Sequence, residues 1–363
     1  RRMNSRRRWK GSSVKFLNLL LVLVPIALIL DLTDTGGHTV VFVTSALAMV
    51  PLAALLGQAT EDVAVYTGPK IGGLLNATLG NAAELIITIV ALRQGLVDVV
   101  KASIAGSIIG NILIVLGASI LLGGLKHGEQ RFDARIASVN ATMLMLAVVA
   151  LLVPAMFARG DATHHLTAHD LSRLSDGVAI VMIVIYALYL LFTLRGGPKG
   201  GHVSEAEHHA GMKLPMAIGL LAASTVAIVV MSELLVGAIE PTAEAWGLSD
   251  LFIGVMLVPL VGNVAEHLVA VKMALNNKMD LSLAIAVGSS LQVALFVTPV
   301  LVFAGLLIGN EMNLVFSSFE LTALIAATII AVLISVDGRS NWLEGAQLIS
   351  VYVMLGLAFY FVP

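Results

Sequence analysis

The sequence predicts an all-α polytopic membrane protein of eleven transmembrane helices, one extra N-terminal helix followed by two inverted-topology five-helix repeats. Three observations carry that expectation. The 363 residues are 58% hydrophobic and only 12% charged, with a mean hydropathy of +0.96, whereas soluble domains hold about 25% charged residues. Apolar stretches of spanning length, about 20 residues each, recur from end to end. One polar motif also occurs twice inside those stretches, as GNAAE at Gly80–Glu84 and GNVAEH at Gly262–His267.

The basic segment RRMNSRRRWKGSSVK precedes a first apolar run at 14–31. The residues after LVLVPIALIL are DLTDTGG, not a small-residue cleavage site, so this run reads as an uncleaved helix. Further spans are predicted at 38–57, 70–93, 98–124, 131–157, 175–195, 213–236, 249–273, 280–308, 315–336 and 343–362. Most connectors are short and carry Gly, Pro, Asn or Asp, as in DGRSN. The longest polar break, RGGPKGGHVSEAEHHAGMK, divides the chain in two. The expected organisation is therefore a basic N-terminus and helix 1 (1–36), a first repeat (37–195), a polar linker (196–212) and a second repeat (213–363). With the N-terminus cytoplasmic, all but Arg93, Lys101, Arg159 and Arg173 of the 21 Lys and Arg lie on the cytoplasmic side. That matches the positive-inside rule and puts the C-terminus outside.

The two halves are related in sequence. Gly80, Asn81 and Glu84 recur as Gly262, Asn263 and Glu266 at an offset of 182, and the same offset carries Gly106-Ser107 onto Gly288-Ser289. Five spans separate the copies. An odd number reverses the second copy across the membrane, the arrangement of secondary transporters with sites near the midplane.

Glu84 and Glu266 fall near the middle of their spans. A charged residue there costs at least ~2.5–3.5 kcal/mol, which makes function the default reading. Asn81 and Asn263 lie three residues earlier on the same helical face, and each adds an amide oxygen. Gly80 and Gly262 loosen the helix, and Pro259 removes a backbone hydrogen bond. Carboxylates, amide oxygens and freed carbonyls suit a hard cation, which nominates Glu84, Glu266, Asn81 and Asn263 as metal ligands. Ser103, Ser107 and Asn111 form one stripe on helix 4, and Ser289, Ser290 and Gln292 stand at the corresponding level of helix 9.

Two carboxylates about 5 Å apart repel by about 3 kcal/mol at an effective dielectric of about 20. An empty site therefore takes up protons and a divalent cation displaces them, so the same groups bind either cargo in competition. His267 is the sole His well inside a span and is a candidate proton relay, although adjacent helical positions point about 100° apart. Glu61, beside Asp62 in GQATEDVA, is placed to line the mouth of an ion pathway. Glu233 and Glu320 read as boundary or interface residues. The linker residues Glu205, Glu207, His208 and His209 read as solvated.

The stretches GQATEDVA, GGLLNATLGNAAELI, SELLVGAIEP, GNVAEH and VGSSLQVALFV together resemble the cation/proton exchanger (CAX) family of the calcium/cation antiporter superfamily, from helix 2 onward. The resemblance implies a one-plus-ten-helix fold and exchange of Ca²⁺ for protons by alternating access. It implies Glu84 and Glu266 as the carboxylates that bind cation and proton, inside a polar shell of Asn81, Asn263, Ser289 and Gln292. Related sodium/calcium exchangers carry a TSxPE-type signature where this chain has Asn-x-x-Glu and AEH, which favours proton coupling. The linker lacks the strongly acidic cluster of many members. That fits a compact protein of the prokaryotic cell membrane.

Other classes are disfavoured. Cys is absent, which excludes thiolate metal sites and Cys nucleophiles. No HExxH, GxGD or Walker sequence marks an intramembrane protease or an ATP-driven pump. The expectation is a transporter and not an enzyme, with no permanently bound cofactor and no nucleic-acid partner. Its partners are Ca²⁺, protons and the lipid bilayer, and homo-oligomers are left open. Alternatives are a proton antiporter for Mn²⁺, Mg²⁺, Na⁺ or K⁺, a Na⁺/Ca²⁺ exchanger, or a cation channel.

Overall fold

The computed structural model describes residues 19–159, 167–195 and 211–362. The N-terminal basic segment and linker residues Glu205, Glu207, His208 and His209 lie outside the described residues. A 3₁₀ turn, Leu20–Val22, leads into α1 (Leu23–Leu32). There follow α2 (Gly37–Gly68), α3 (Ile71–Leu79), α4 (Ala82–Arg93), α5 (Val97–His127), α6 (Ala134–Arg159) and α7 (Ala168–Leu194). After the linker come α8 (Leu214–Gly237), α9 (Ile239–Trp246), α10 (250–275), α11 (Met279–Ile308), α12 (Ser318–Ser335) and α13 (Trp342–Tyr360).

Among the described residues, eight helices are long and apolar enough to cross a membrane, or ten if two bent pairs each count as one span. Leu20–Leu32 is apolar but shorter than a bilayer needs. The bent pairs are α3 with α4, at 42°, and α9 with the start of α10, at 113°. So the expected single helix over 70–93 is two helices. The expected helix over 38–57 continues to Gly68, with Thr60 bonded back to the Leu56 carbonyl and Asp62 buried against the end of the linker. Gly68 ends it at φ 80°, a conformation that suits glycine, and the proline that follows disfavours the α region there.

Packing sets a centre and a periphery. α5, α10 and α11 cross at the centre, and α13 lies along the second half of α5. α2 and α3 lie along α8. α7 and α8 turn exposed apolar residues such as Val181 and Val226 outward, as bilayer-facing helices do, since lipid satisfies them without cost. A two-residue antiparallel ladder, β1 (Gln130–Arg131) with β2 (Arg339–Ser340), joins the loops at one end. Beside it Lys126, His127 and Gln130 donate to the last carbonyls of α10, at Leu275 and Ala274. These bonds satisfy a helix C-terminus that would otherwise be left unpaired.

Candidate cation site

Three π-helical turns bend the central helices: Asn111–Val115 in α5, Ile253–Leu257 in α10 and Val293–Val297 in α11. The first and third begin 182 residues apart, the offset of the sequence repeat. Pro259 and Pro299 follow two of them closely. A proline cannot donate to the carbonyl four residues back, and a wider turn absorbs that loss. In α11, the Thr298 hydroxyl takes the Val293 carbonyl at 2.8 Å. Such turns concentrate at functional sites.

The two GN motifs differ in local structure. At Gly80–Asn81 the chain leaves the helix, with Asn81 at φ −99° and ψ 27°. Glu84 therefore stands in the first turn of α4, where unpaired N–H groups and the helix dipole favour negative charge. At Gly262–Asn263 the helix is continuous. Gly262 faces α4 there: a Cβ on it would make ordinary contact with Glu84 Cα and Cβ at 3.8 Å. Both glycines were expected to loosen their helices; Gly80 is itself helical, at φ −54° and ψ −47°, and the first helix breaks one residue later, at Asn81.

Glu84 is 3% exposed, and neither carboxylate oxygen meets a hydrogen-bond partner among the described residues. Ser107 and Asn263 are its nearest polar neighbours and Glu266 is the charge that acts on it. Glu266 is half-buried, lies beside Ser289 and leaves its Oε2 unpartnered. An unpaired buried carboxylate is costly unless it holds a proton or a cation.

Asn81, Asn263, Ser107, Ser289, Asn111 and Gln292 come together around this pair. Ser289 donates to Asn81 Oδ1 at 3.0 Å, and Asn263 donates to Ser107 Oγ at 3.2 Å. Each bond joins the motif of one half to the Gly-Ser pair of the other. His267 donates to Asn111 Oδ1 at 3.3 Å, Asn111 donates to Ser289 at 3.1 Å, and Asn81 donates to Gln292 Oε1 at 2.7 Å. The result is a continuous chain from His267 to Gln292. His267 joins this chain through Asn111. Ser107, Asn263 and His267 also line a cavity of ≈ 10 Å³ with Gly110, Pro259 and Tyr352, about the room of one water. Ser103 is buried with its hydroxyl unpaired.

Glu61 is exposed at the end of α2, away from this cluster, and it is neighbouring Asp62 that binds Gly211 N at 2.7 Å. Glu233 pairs with Arg93. The boundary reading of Glu320 gives way to burial: it closes a capping box with Ser317, and the ammonium of Lys101 lies near enough to act on it. Lys101 was placed outside by charge counting, yet it is buried and donates to Asn313 Oδ1 and the Val315 carbonyl. Among the described residues no three His, Asp or Glu side chains cluster as a metal site. Two carboxylates within an amide and hydroxyl shell are what the fold supplies.

A polytopic helical protein with interrupted helices and a pair of carboxylates at its centre has the build of an ion transporter. The sodium/calcium exchanger protein family model matches residues 37–195 and 216–361, and the chain belongs to that family. It is 45% identical to a protein named Ca²⁺/H⁺ antiporter from Aphanothece halophytica, over 95% of this chain and 96% of that protein. It is 41% identical to the Ca²⁺/H⁺ antiporter ChaA of Bacillus subtilis, over 95% and 98% of the two chains. The structure of native YfkE superposes with a TM-score of 0.83 at 38% identity, covering 95% of this chain and all of that one. A crystal structure of the H⁺/Ca²⁺ exchanger CAX shares the fold, with a TM-score of 0.74 at 17% identity, over 96% and 92% of the two chains.

Proposed function

We propose that this protein exchanges Ca²⁺ for protons across the membrane, with Glu84 and Glu266 binding the two cargoes in turn. The observation that carries this reading is the pair of central glutamates, with both oxygens of Glu84 and Oε2 of Glu266 left without partners inside an amide and hydroxyl shell. Oxygen donors of this kind suit Ca²⁺, which takes six to eight. Relatives named for Ca²⁺/H⁺ antiport, at up to 45% identity, favour it over a sodium-coupled reading. Asn81 and Asn263 would supply further oxygens, Ser107, Ser289, Asn111 and Gln292 hold the shell, and His267, the candidate proton carrier, is hydrogen-bonded to Asn111. No step requires a resident cofactor or covalent chemistry.

The unequal packing of the two halves supports one-sided access. A Cβ on Gly106 would fall 2.1 Å from the Val255 carbonyl, so α5 and the first half of α10 are closed on each other. The matching residue Gly288 has nothing within 4 Å, so α11 stands clear of its counterpart α3 at that level. With residues 37–195 and 213–363 as opposed repeats and the N-terminus cytoplasmic, the clear side is the cytoplasmic one of a prokaryotic cell membrane. Exchange then requires this asymmetry to reverse.

A pH gradient imposed on vesicles carrying the protein drives Ca²⁺ uptake, and Glu84→Gln and Glu266→Gln each abolish it. Uptake that survives in both variants defeats the proposal. Replacing Ca²⁺ by Mn²⁺ or Na⁺ in the same vesicles reads the cation selectivity.

A further inference from the structure

The break between α3 and α4 has a cost that the cation site alone does not meet. Helix ends leave their last carbonyls without backbone donors. At the end of α3, Gly80 N–H donates to the Asn76 carbonyl at 2.9 Å. Among the described residues no backbone N–H reaches the Ala77 carbonyl. Two side chains from different helices do. Gln292 of α11 donates Nε2 at 2.6 Å, and Tyr186 of α7 donates its hydroxyl at 3.0 Å. Gln292 also accepts from Asn81, so one amide ties together both sides of the break.

Tyr186 is held for this task. Its ring is 5% exposed and stacks on Phe296, at 5.7 Å between centroids, and on Tyr189, at 6.4 Å. A buried tyrosine hydroxyl needs a partner, and here that partner is the orphan carbonyl. The other half of the molecule offers a contrast. The position matching Ala77 is Pro259 in an unbroken helix, and the position matching Gln292 is Gly110. There Tyr352, from α13, lines the small cavity beside Pro259 and Gly110, and no such clasp is formed.

We infer that Tyr186 is a positioning residue for the central cation site: with Gln292 it fixes the end of α3, and through it the placement of Asn81 and Glu84. The inference rests on the reading of these residues as a cation site, and it adds a helix, α7, that contributes no ligand.

Tyr186→Phe keeps the stacked ring and removes only the donor. Tyr189→Phe is the comparison, since it also removes a membrane-buried hydroxyl bond, to Asn140 Oδ1 at 2.9 Å, but away from the break. The readout is the cation concentration that gives half of the thermal stabilisation of purified protein, titrated with Ca²⁺, Mn²⁺ and Na⁺, alongside proton-driven Ca²⁺ uptake. In Tyr186→Phe the half-stabilising concentration and the uptake KM rise about fivefold, the loss of one hydrogen bond, with the cation-free melting temperature close to wild type. Tyr189→Phe leaves both unchanged. Wild-type values in Tyr186→Phe, or an equal rise in Tyr189→Phe, overturn the inference. A wild-type protein stabilised by a cation but inactive in proton-driven uptake defeats the exchange reading alone. One that responds to none of the three cations defeats both.

Discussion

Asn81 and Ser289 are hydrogen-bonded at 3.0 Å, and the residues that match them in the other half, Asn263 and Ser107, at 3.2 Å. The two bonds cross between the halves, so each half's motif is oriented by the other's Gly-Ser pair. They are not equivalent, because the Ser289 hydroxyl also accepts from Asn111 whereas Ser107 receives Asn263 alone. Ser289→Ala strands two buried polar groups and Ser107→Ala one, at about 1–3 kcal/mol each. Ser289→Ala is therefore expected to lower the melting temperature and the Ca²⁺ uptake rate more than Ser107→Ala. Differential scanning fluorimetry with vesicle uptake checks the order, and a reversed order contradicts the network.

Gly106 and Gly288 occupy matching positions and face opposite demands. Alanine at 106 places its Cβ 2.1 Å from a backbone oxygen, which cannot turn aside like a flexible side chain, whereas alanine at 288 enters open space. Overpacking of this kind costs about 1–3 kcal/mol. Gly106→Ala is expected to destabilise the closed side and to slow uptake, and Gly288→Ala to fold like the wild type. Equal melting temperatures for the two variants would show that the halves are not packed as described here.

Much of this was legible in the sequence, and the gaps have physical causes. Hydropathy located each long helix among the described residues, because the bilayer demands uninterrupted apolar length, and the repeated GNxxE picked out Glu84 and Glu266, which the fold brings near each other. Hydropathy could not show that the helix breaks just after Gly80, at Asn81, while it runs on through Gly262 against Glu84. Both are glycine, and the difference lies in what approaches them. Tyr186 went unnoticed because a lone tyrosine in an apolar run gives no signal until an orphan carbonyl faces it. Counting basic residues placed Lys101 outside, and its position in the span made Glu320 read as a boundary or interface residue; neither reading says anything of burial.

Lys101 and Glu320 are buried near one another between α5 and α12, outside the cation site, with Asp98 close to both. Removing one member of a buried charged set leaves the other uncompensated, at about 3–5 kcal/mol. Lys101→Met alone is expected to destabilise the protein strongly, and Lys101→Met with Glu320→Gln to recover part of that loss. Melting temperatures of both single variants and the double variant give the coupling. Additive losses would mean that Lys101 is held by Asp98, Asn313 and the Val315 carbonyl without help from Glu320.

Competition between protons and the cation fixes the sign of the pH dependence. Carboxylates must be deprotonated to ligate a metal ion, so cation binding releases protons. Acidification fills Glu84 and Glu266 with protons and weakens Ca²⁺ binding, and alkalinisation empties them and strengthens it. Where both carboxylates are protonated in the cation-free protein, the logarithm of the apparent affinity climbs with pH at a slope approaching about two. Glu84→Gln leaves one titrating carboxylate, so its residual Ca²⁺ binding should climb at about one per pH unit and be weaker throughout. Calorimetric titration of purified protein with Ca²⁺ at several pH values, in buffers of different ionisation enthalpy, reads both the slope and the protons released. An affinity that does not change with pH, or a slope of two that survives in Glu84→Gln, would mean that the proton is carried by some other group. His267 is then the residue to test, because it opens the hydrogen-bonded chain through Asn111 and Ser289 to Asn81.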